Sequence, residues 1–245
     1  MQRGRWAELF HWKGRIRVLW ALVLVCVAAA IWQPKETVTV SATAAQPCVA
    51  LTFDDGPRRD TTTALLDGLS QRGVPATFFL VGTFVENNED IVLRMDREGH
   101  QVGIHSQNHR ALTGLSGAAL YWEVDELRER LTALLGPREF MVRPPYGMTN
   151  QAVCRGADGP IILWSVDPED WSDEDSARQV EHIVSRAQDG DIILLHDIYP
   201  SSVATALRVV DELLARGFYF TTVEDLFALR GIQPEKGVIY RSLPA

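Results

Sequence analysis

His105 and His109 stand four residues apart in His105-Ser106-Gln107-Asn108-His109. One helical turn would put both imidazoles on one side, where they can grip a single cation. With a carboxylate from Asp55 they make a two-histidine, one-carboxylate set that leaves open positions for water and substrate. A His-x-x-x-His pair is commonplace by itself, and its weight comes from Asp54-Asp55 and His196, which break off other apolar runs in the same way. The ligand types suit zinc, and equally non-haem iron, so residue chemistry leaves the metal open. Successive side chains of a strand alternate faces. The turn at Gly56-Pro57 therefore has to bring both aspartates to one cleft, one binding metal and the other free as a general base beside a metal-bound water. As plain structure, Asp-Asp-Gly-Pro is also a serviceable turn.

Arg143 precedes Pro144-Pro145 on a stiff extended segment, which aims its guanidinium at a carboxylate; read plainly, it is a surface arginine. His196 ends the run Ile192–Leu195, where a lone histidine is usually a satisfied core residue. Asp167, at a neighbouring strand end, would keep His196 protonated as a general acid. Trp164, Trp171, Tyr146, Tyr199 and Leu194 stand where they can wall a cleft for a sugar face or an apolar group, or simply pack.

The elements that must position these residues are legible in outline. Apolar runs recur at Val49–Phe53, Ala76–Val81, Gln101–His105, Phe140–Arg143, Ile161–Val166, Ile192–His196 and Phe218–Thr222. Helical spacing lies between them at Thr61–Arg72, Leu120–Leu135, Ser176–Ala187 and Val203–Arg216. Alternating apolar strands and helices predict an α/β fold with a parallel sheet covered on both faces, either doubly wound or an incomplete (β/α) barrel. In both, the carboxyl ends of the strands share one crevice, and five of the runs end there in acid, base or imidazole.

The N-terminus reads differently. Arg3, Arg5, Lys13, Arg15 and Arg17 against Glu8 make residues 1–17 a basic tip, followed by the charge-free run Val18–Trp32. A positive flank before an apolar run is the pattern of a signal anchor or a cleaved signal peptide, and the anchor is the slightly favoured reading. Residues 33–46 read as a linker, 47–230 as the body and 231–245 as a C-terminal tail. The chain's net charge is -8 despite its basic tip, and an acidic body is a poor match for nucleic acid. Cys48 and Cys154 would meet an oxidising compartment, as a disulfide or as two thiols.

Taken in order, Thr52-Phe53-Asp54-Asp55-Gly56, His105-Ser106-Gln107-Asn108-His109, Arg143-Pro144-Pro145-Tyr146-Gly147, Asp167-Pro168-Glu169-Asp170-Trp171 and Leu194-Leu195-His196 resemble the five motifs of the NodB-type polysaccharide deacetylases, carbohydrate esterase family 4. The likeness covers about residues 47–230. It implies a distorted (β/α) barrel of seven or eight strands, here preceded by one N-terminal membrane helix, around a divalent metal, zinc or cobalt. It further implies Asp55, His105 and His109 as metal ligands, Asp54 as general base held by Arg143, and His196 as general acid tuned by Asp167. The Tyr146 backbone N–H would serve the oxyanion, and Trp171 and Leu194 would line an acetyl pocket. The implied activity is removal of N-acetyl groups from N-acetylglucosamine-type units of peptidoglycan or chitin-like oligomers. The partners are then the N-acetylated glycan and, through residues 18–32, the membrane, with the body a monomer outside the cytoplasm, or secreted after cleavage. Acetylxylan esterase activity is the near alternative. A non-catalytic glycan-binding module and a non-haem iron oxygenase are readings of other classes, and neither requires Asp54 together with His196.

Overall fold

The computed structural model describes residues 46–245. The basic tip, the apolar run 18–32 and all but the end of the linker lie outside the described residues. No helix among the described residues is long and apolar enough to cross a membrane.

Strands and helices alternate: β1 (Cys48–Asp54), α1 (Thr61–Arg72), β2 (Thr77–Leu80), α2 (Gly82–Val85), α3 (Glu89–Arg97), β3 (Gln101–Ile104), α4 (Ala118–Leu135), α5 (Gln151–Gly156), β4 (Ile161–Ile162), α6 (Ser176–Arg186), β5 (Ile192–His196), α7 (Pro200–Ala215), β6 (Tyr219–Thr221), α8 (Val223–Arg230) and β7 (Ile239–Tyr240). This is an α/β fold on parallel strands. β1 is its centre, paired with β2 on one side and β5 on the other, while its first residues pair with β6 and β3 extends β2. Beyond β3 the parallel pairing continues through single bridges, Ile104 to Val142 and Val142 to Ile161, and Val166 bridges to Ile193 on β5.

Local chemistry explains the boundaries. Asp60 caps α1 by accepting from the Thr61 N–H, and Gly73 ends it at φ 63, a left-handed position where a Cβ is costly. Asp175 and Thr222 cap α6 and α8 in the same way. The sequence places α1 and β5 correctly residue for residue. The expected strands at 140–143 and 161–166 shrink to Val142 and to Ile161–Ile162 with a bridge at Val166, because the chain leaves the sheet at the prolines and loops that carry the site. Five elements were not foreseen: helices α2, α3, α5 and α8, and strand β7 in the expected tail, which pairs with β4 while Ser242 bridges to Asp191.

β1 explains how one strand serves both core and site. Its odd residues Val49, Leu51 and Phe53 join the large apolar core with Leu65, Leu66 and Leu69 of α1. On the other face Cys48 and Ala50 join a smaller core with Phe79, Met141, Ile162 and Phe227 of α8. Thr52 and Asp54 follow on that same face, buried but polar. Each fully buried Leu or Phe contributes about 1.5–3 kcal/mol, so a strand bounded by two such cores is a rigid mount for Asp54.

Candidate active site

Asp54 is the last residue of β1, and in the parallel register it lies opposite His196, the last residue of β5. In-register neighbours of adjacent strands face the same side, so the geometry of the sheet alone delivers an acid and an imidazole to one place. Arg143 is fully buried and donates from Nη1 to Asp54 Oδ1 at 2.7 Å and to Thr52 Oγ1 at 2.8 Å. Its Nε and Nη2 donate to the carbonyls of Ile162 and Leu163, and its guanidinium lies 4.1 Å over the Phe79 ring. An arginine held by four acceptors and a ring cannot wander, which fixes the carboxylate it grips.

Asp55 adopts φ 75, the left-handed conformation that aspartate tolerates better than most residues. This turn, followed by Gly56-Pro57, swings its carboxylate to the side that Asp54 already faces. Asp55 Oδ1 lies 3.2 Å from His109 Nε2 and 3.5 Å from His105 Nε2, and the three ligand atoms fall within 4.8 Å of one another. The two histidines do not occupy a helical turn as the spacing suggested. They sit on an irregular loop with positive φ at Ser106 (70) and His109 (54). Their rings meet at 5.1 Å because that loop curls back, not because it coils.

A cation fits this set on the chemistry of its atoms. His105 Nδ1 lies 2.6 Å from the Arg143 carbonyl, which can only accept, so Nδ1 carries the proton. Burial pushes the His105 pKa down and keeps the ring neutral, leaving a bare lone pair on Nε2. Asp55 Oδ1 is buried and has no hydrogen-bond partner. Two acceptors facing each other at this distance repel unless a positive charge lies between them.

His196 is perturbed in the opposite sense to His105. Burial acts to lower its pKa, but the hydrogen bond and charge of Asp170, with Asp54 and Asp55 nearby, outweigh it and push the value up to about 9. Asp170 Oδ1 meets His196 Nδ1 at 2.8 Å, while Oδ2 accepts from the His196 backbone N–H at 2.9 Å. The expectation that Asp167 tunes His196 is therefore corrected, since Asp170 fills that place. Asp167 instead accepts from the Glu169 N–H at 2.8 Å and faces the cavity, where burial raises its pKa. Glu169 turns at φ 57, and this reversal carries the later carboxylate under the imidazole.

These groups line a cavity of about 420 Å³, bounded by Asp54, Asp55, His105, His109, Asp167 and His196 together with Tyr146, Trp164, Trp171 and Leu194. The chain is similar to known proteins in sequence and in fold. The profile described as polysaccharide deacetylase matches residues 41–158. A peptidoglycan-N-acetylglucosamine deacetylase of Bacillus cereus is 33% identical over 202 residues, covering 79% of this chain and 94% of that protein. The chain belongs to the polysaccharide deacetylase family. The peptidoglycan-N-acetylmuramic acid deacetylase PdaC of Bacillus subtilis is 38% identical over 181 residues, 74% of this chain and 39% of that protein. The chain thus spans about two fifths of the length of that larger relative. The solved structure of PdaC superposes with a TM-score of 0.75 at 36% identity, covering 78% of this chain and 94% of that one. A family 4 acetyl xylan esterase from Clostridium thermocellum, in complex with a cobalt ion, gives 0.77 at 28% identity, covering 81% of this chain and all of that one.

Within this polysaccharide deacetylase domain the remaining expectations sort by position. Tyr146 turns at φ 62, is 63% exposed, and meets the His109 ring edge-on at 4.8 Å. Trp171 is 58% exposed at the cavity rim, and Leu194 is buried in its wall. Tyr199, expected as a wall residue, is not part of the lining and begins the α7 turn as its cap position. Cys48 and Cys154 are separate free thiols, the first among the buried residues of the smaller core. Besides Asp170, two residues were given no role by the sequence reading. Asp197 is buried beside the site, accepts from Thr62 Oγ1, and lies so close to Gly56 that a Cβ there would collide with its carboxylate. Burial lifts its pKa to about 7. Glu123 is the other, a fully buried acid on α4. Its signal was present in the sequence, as a charged residue on the stripe of Leu120, Val124, Leu127 and Leu131.

Proposed function

We propose that the protein is a divalent-metal-dependent hydrolase that removes N-acetyl groups from N-acetylglucosamine-type units of a cell-surface polysaccharide, peptidoglycan foremost. The observation that carries this reading is the pairing of Asp54, gripped by Arg143, with His196, gripped by Asp170, across one cavity that also holds the Asp55-His105-His109 set. When bound there, a zinc or cobalt ion supplies Lewis acidity, which makes a water nucleophilic at neutral pH and polarises the acetyl carbonyl.

The chain's own residues supply the rest. Asp54 accepts the proton of the attacking water, with Arg143 gripping Oδ1 and so keeping the carboxylate aimed. His196, with Nδ1 engaged by Asp170, carries its second proton on Nε2 and gives it to the departing nitrogen. The Tyr146 N–H, on its turned backbone, is the donor for oxygen charge, and Trp171, Trp164 and Leu194 flank room for a small apolar group. Asp167 is a cavity-facing acid for the sugar rather than a partner of His196. The esterase relative keeps O-acetyl hydrolysis as the second reading. A histidine held protonated favours the amide, because an amine leaves only with a proton while an alkoxide needs less help.

The basic tip and the run 18–32 support a single-pass anchor with the domain outside the cytoplasm, or secretion after cleavage, and the domain acts as a monomer. The parallel ladders and their single-bridge continuation support a distorted (β/α) barrel. The test follows acetate release from N-acetylated peptidoglycan, chitin oligomers and acetylated xylan by the full chain, stripped with chelator and reloaded with zinc or cobalt. Metal-dependent release, faster from the N-acetylated glycans, is expected. Preference for xylan would replace the amide by the ester, and no release from any, with metal bound, would leave a glycan-binding module.

A further inference from the structure

The loop that carries His105 and His109 has unequal support along its length. Its first half is tied to α2, where the Gly82 N–H donates to the Ser106 carbonyl and the Thr83 N–H to the Gln107 carbonyl, each at 3.0 Å. Its second half is tied to α4 through a single residue. The Gln107 N–H donates to the backbone carbonyl of Glu123 at 2.7 Å, and the Asn108 N–H donates to Glu123 Oε2 at 2.9 Å. Asn108 Nδ2 reaches Glu123 Oε1 at 3.4 Å, and Arg110 Nη1 lies 3.7 Å from the same oxygen. Glu123 thus brackets the chain at residues 107, 108 and 110, on both sides of His109.

Nothing in the hydrolytic chemistry calls on Glu123, yet it is completely buried, which a carboxylate tolerates only when its oxygens are matched. What it matches is the segment that turns at His109 with φ 54. That conformation disfavours a side chain and has to be held from outside. The His109 ring itself meets the His105 ring, the Asp55 carboxylate and, edge-on, the exposed Tyr146, none of which holds its backbone.

We propose that Glu123 is the positioning residue of the metal-ligating loop. By fixing Asn108 it presents His109 Nε2 to Asp55 Oδ1 before any cation arrives. This rests on the reading of Asp55, His105 and His109 as metal ligands. Without Glu123 the loop would order only on binding, and the ordering cost would come out of metal affinity.

The test uses the full chain and Glu123→Gln, which removes the charge at nearly constant volume. Cobalt affinity is measured by competition with a chelator, the visible spectrum of the cobalt form is recorded, and hydrogen exchange is followed in both metal-free proteins. The expected result is cobalt binding weakened about 10- to 100-fold, with an altered spectrum. Exchange should rise in residues 107–110 while β1, β3 and β5 stay protected. A variant that binds cobalt within twofold of the parent with the same spectrum overturns the proposal. So does exchange that rises throughout the domain, which would assign Glu123 to general stability. A parent chain that binds no cobalt would overturn the ligand reading itself, a separate failure visible before any variant is made.

Discussion

His100 and His105 bracket β3, one before its first residue and one after its last, and both are buried with pKa values below the ordinary range because of that burial. Their ring nitrogens are used in opposite senses. His100 Nδ1 accepts from the Ala76 N–H at 3.1 Å, so its proton sits on Nε2, which has no partner, and its ring packs edge-on against Phe78. His105 Nδ1 donates to the Arg143 carbonyl, and its bare Nε2 points at two carboxylates. Burial and a shifted pKa are thus common to both. What separates a core histidine from a ligand is which nitrogen the backbone engages, and what the other one faces.

The largest effect expected from this comparison is on metal binding. His105→Gln should abolish measurable zinc or cobalt uptake, whereas His100→Gln should leave affinity within about twofold; equilibrium dialysis of both variants would break the comparison if they behaved alike. Next comes the second perturbed imidazole. With Asp170→Asn the Nδ1 contact loses its charge and the His196 pKa falls from about 9 toward or below 6.5. The alkaline limb of the kcat profile should move down with it, costing about tenfold or more in rate at pH 8, while metal content stays at one per chain. An unmoved limb would remove His196 as the proton donor.

The last effect is on stability and leaves the chemistry untouched. His100 titrates at about 4 in the folded chain against an unfolded 6.5, so between those values the unfolded chain binds more protons. The contribution is complete above pH 6.5 and lost as pH falls to about 4, on the order of 3 kcal/mol across the window. Denaturant titrations should show this slope in the parent and a flatter one in His100→Gln.

How far such distinctions were legible in the sequence depends on the length of the argument each residue needs. Asp54, Asp55, Arg143 and His196 could be found because parallel strands deliver their carboxyl ends to one place, whatever the loops do. Asp170 could not, because Asp167 and Asp170 share one loop and only the reversal at Glu169 decides which reaches His196. Helix α3 was missed because it is short, nine residues with Ile91, Val92, Leu93 and Met95 set among five charged residues. Strand β7 is two residues long and pairs far along the chain with β4, a length at which periodicity carries no signal. The helical turn expected for His105 and His109 failed because spacing alone does not register positive φ at Ser106 and His109.

The account turns on a division of labour between adjacent aspartates, Asp55 for the cation and Asp54 for the proton. Metal content and acetate release measured on Asp54→Asn beside Asp55→Asn test it directly. The account predicts that Asp54→Asn keeps one zinc or cobalt per chain and loses about 10²–10⁴ in rate, while Asp55→Asn loses the metal. Loss of metal from Asp54→Asn, with retention in Asp55→Asn, would contradict it by exchanging the two roles.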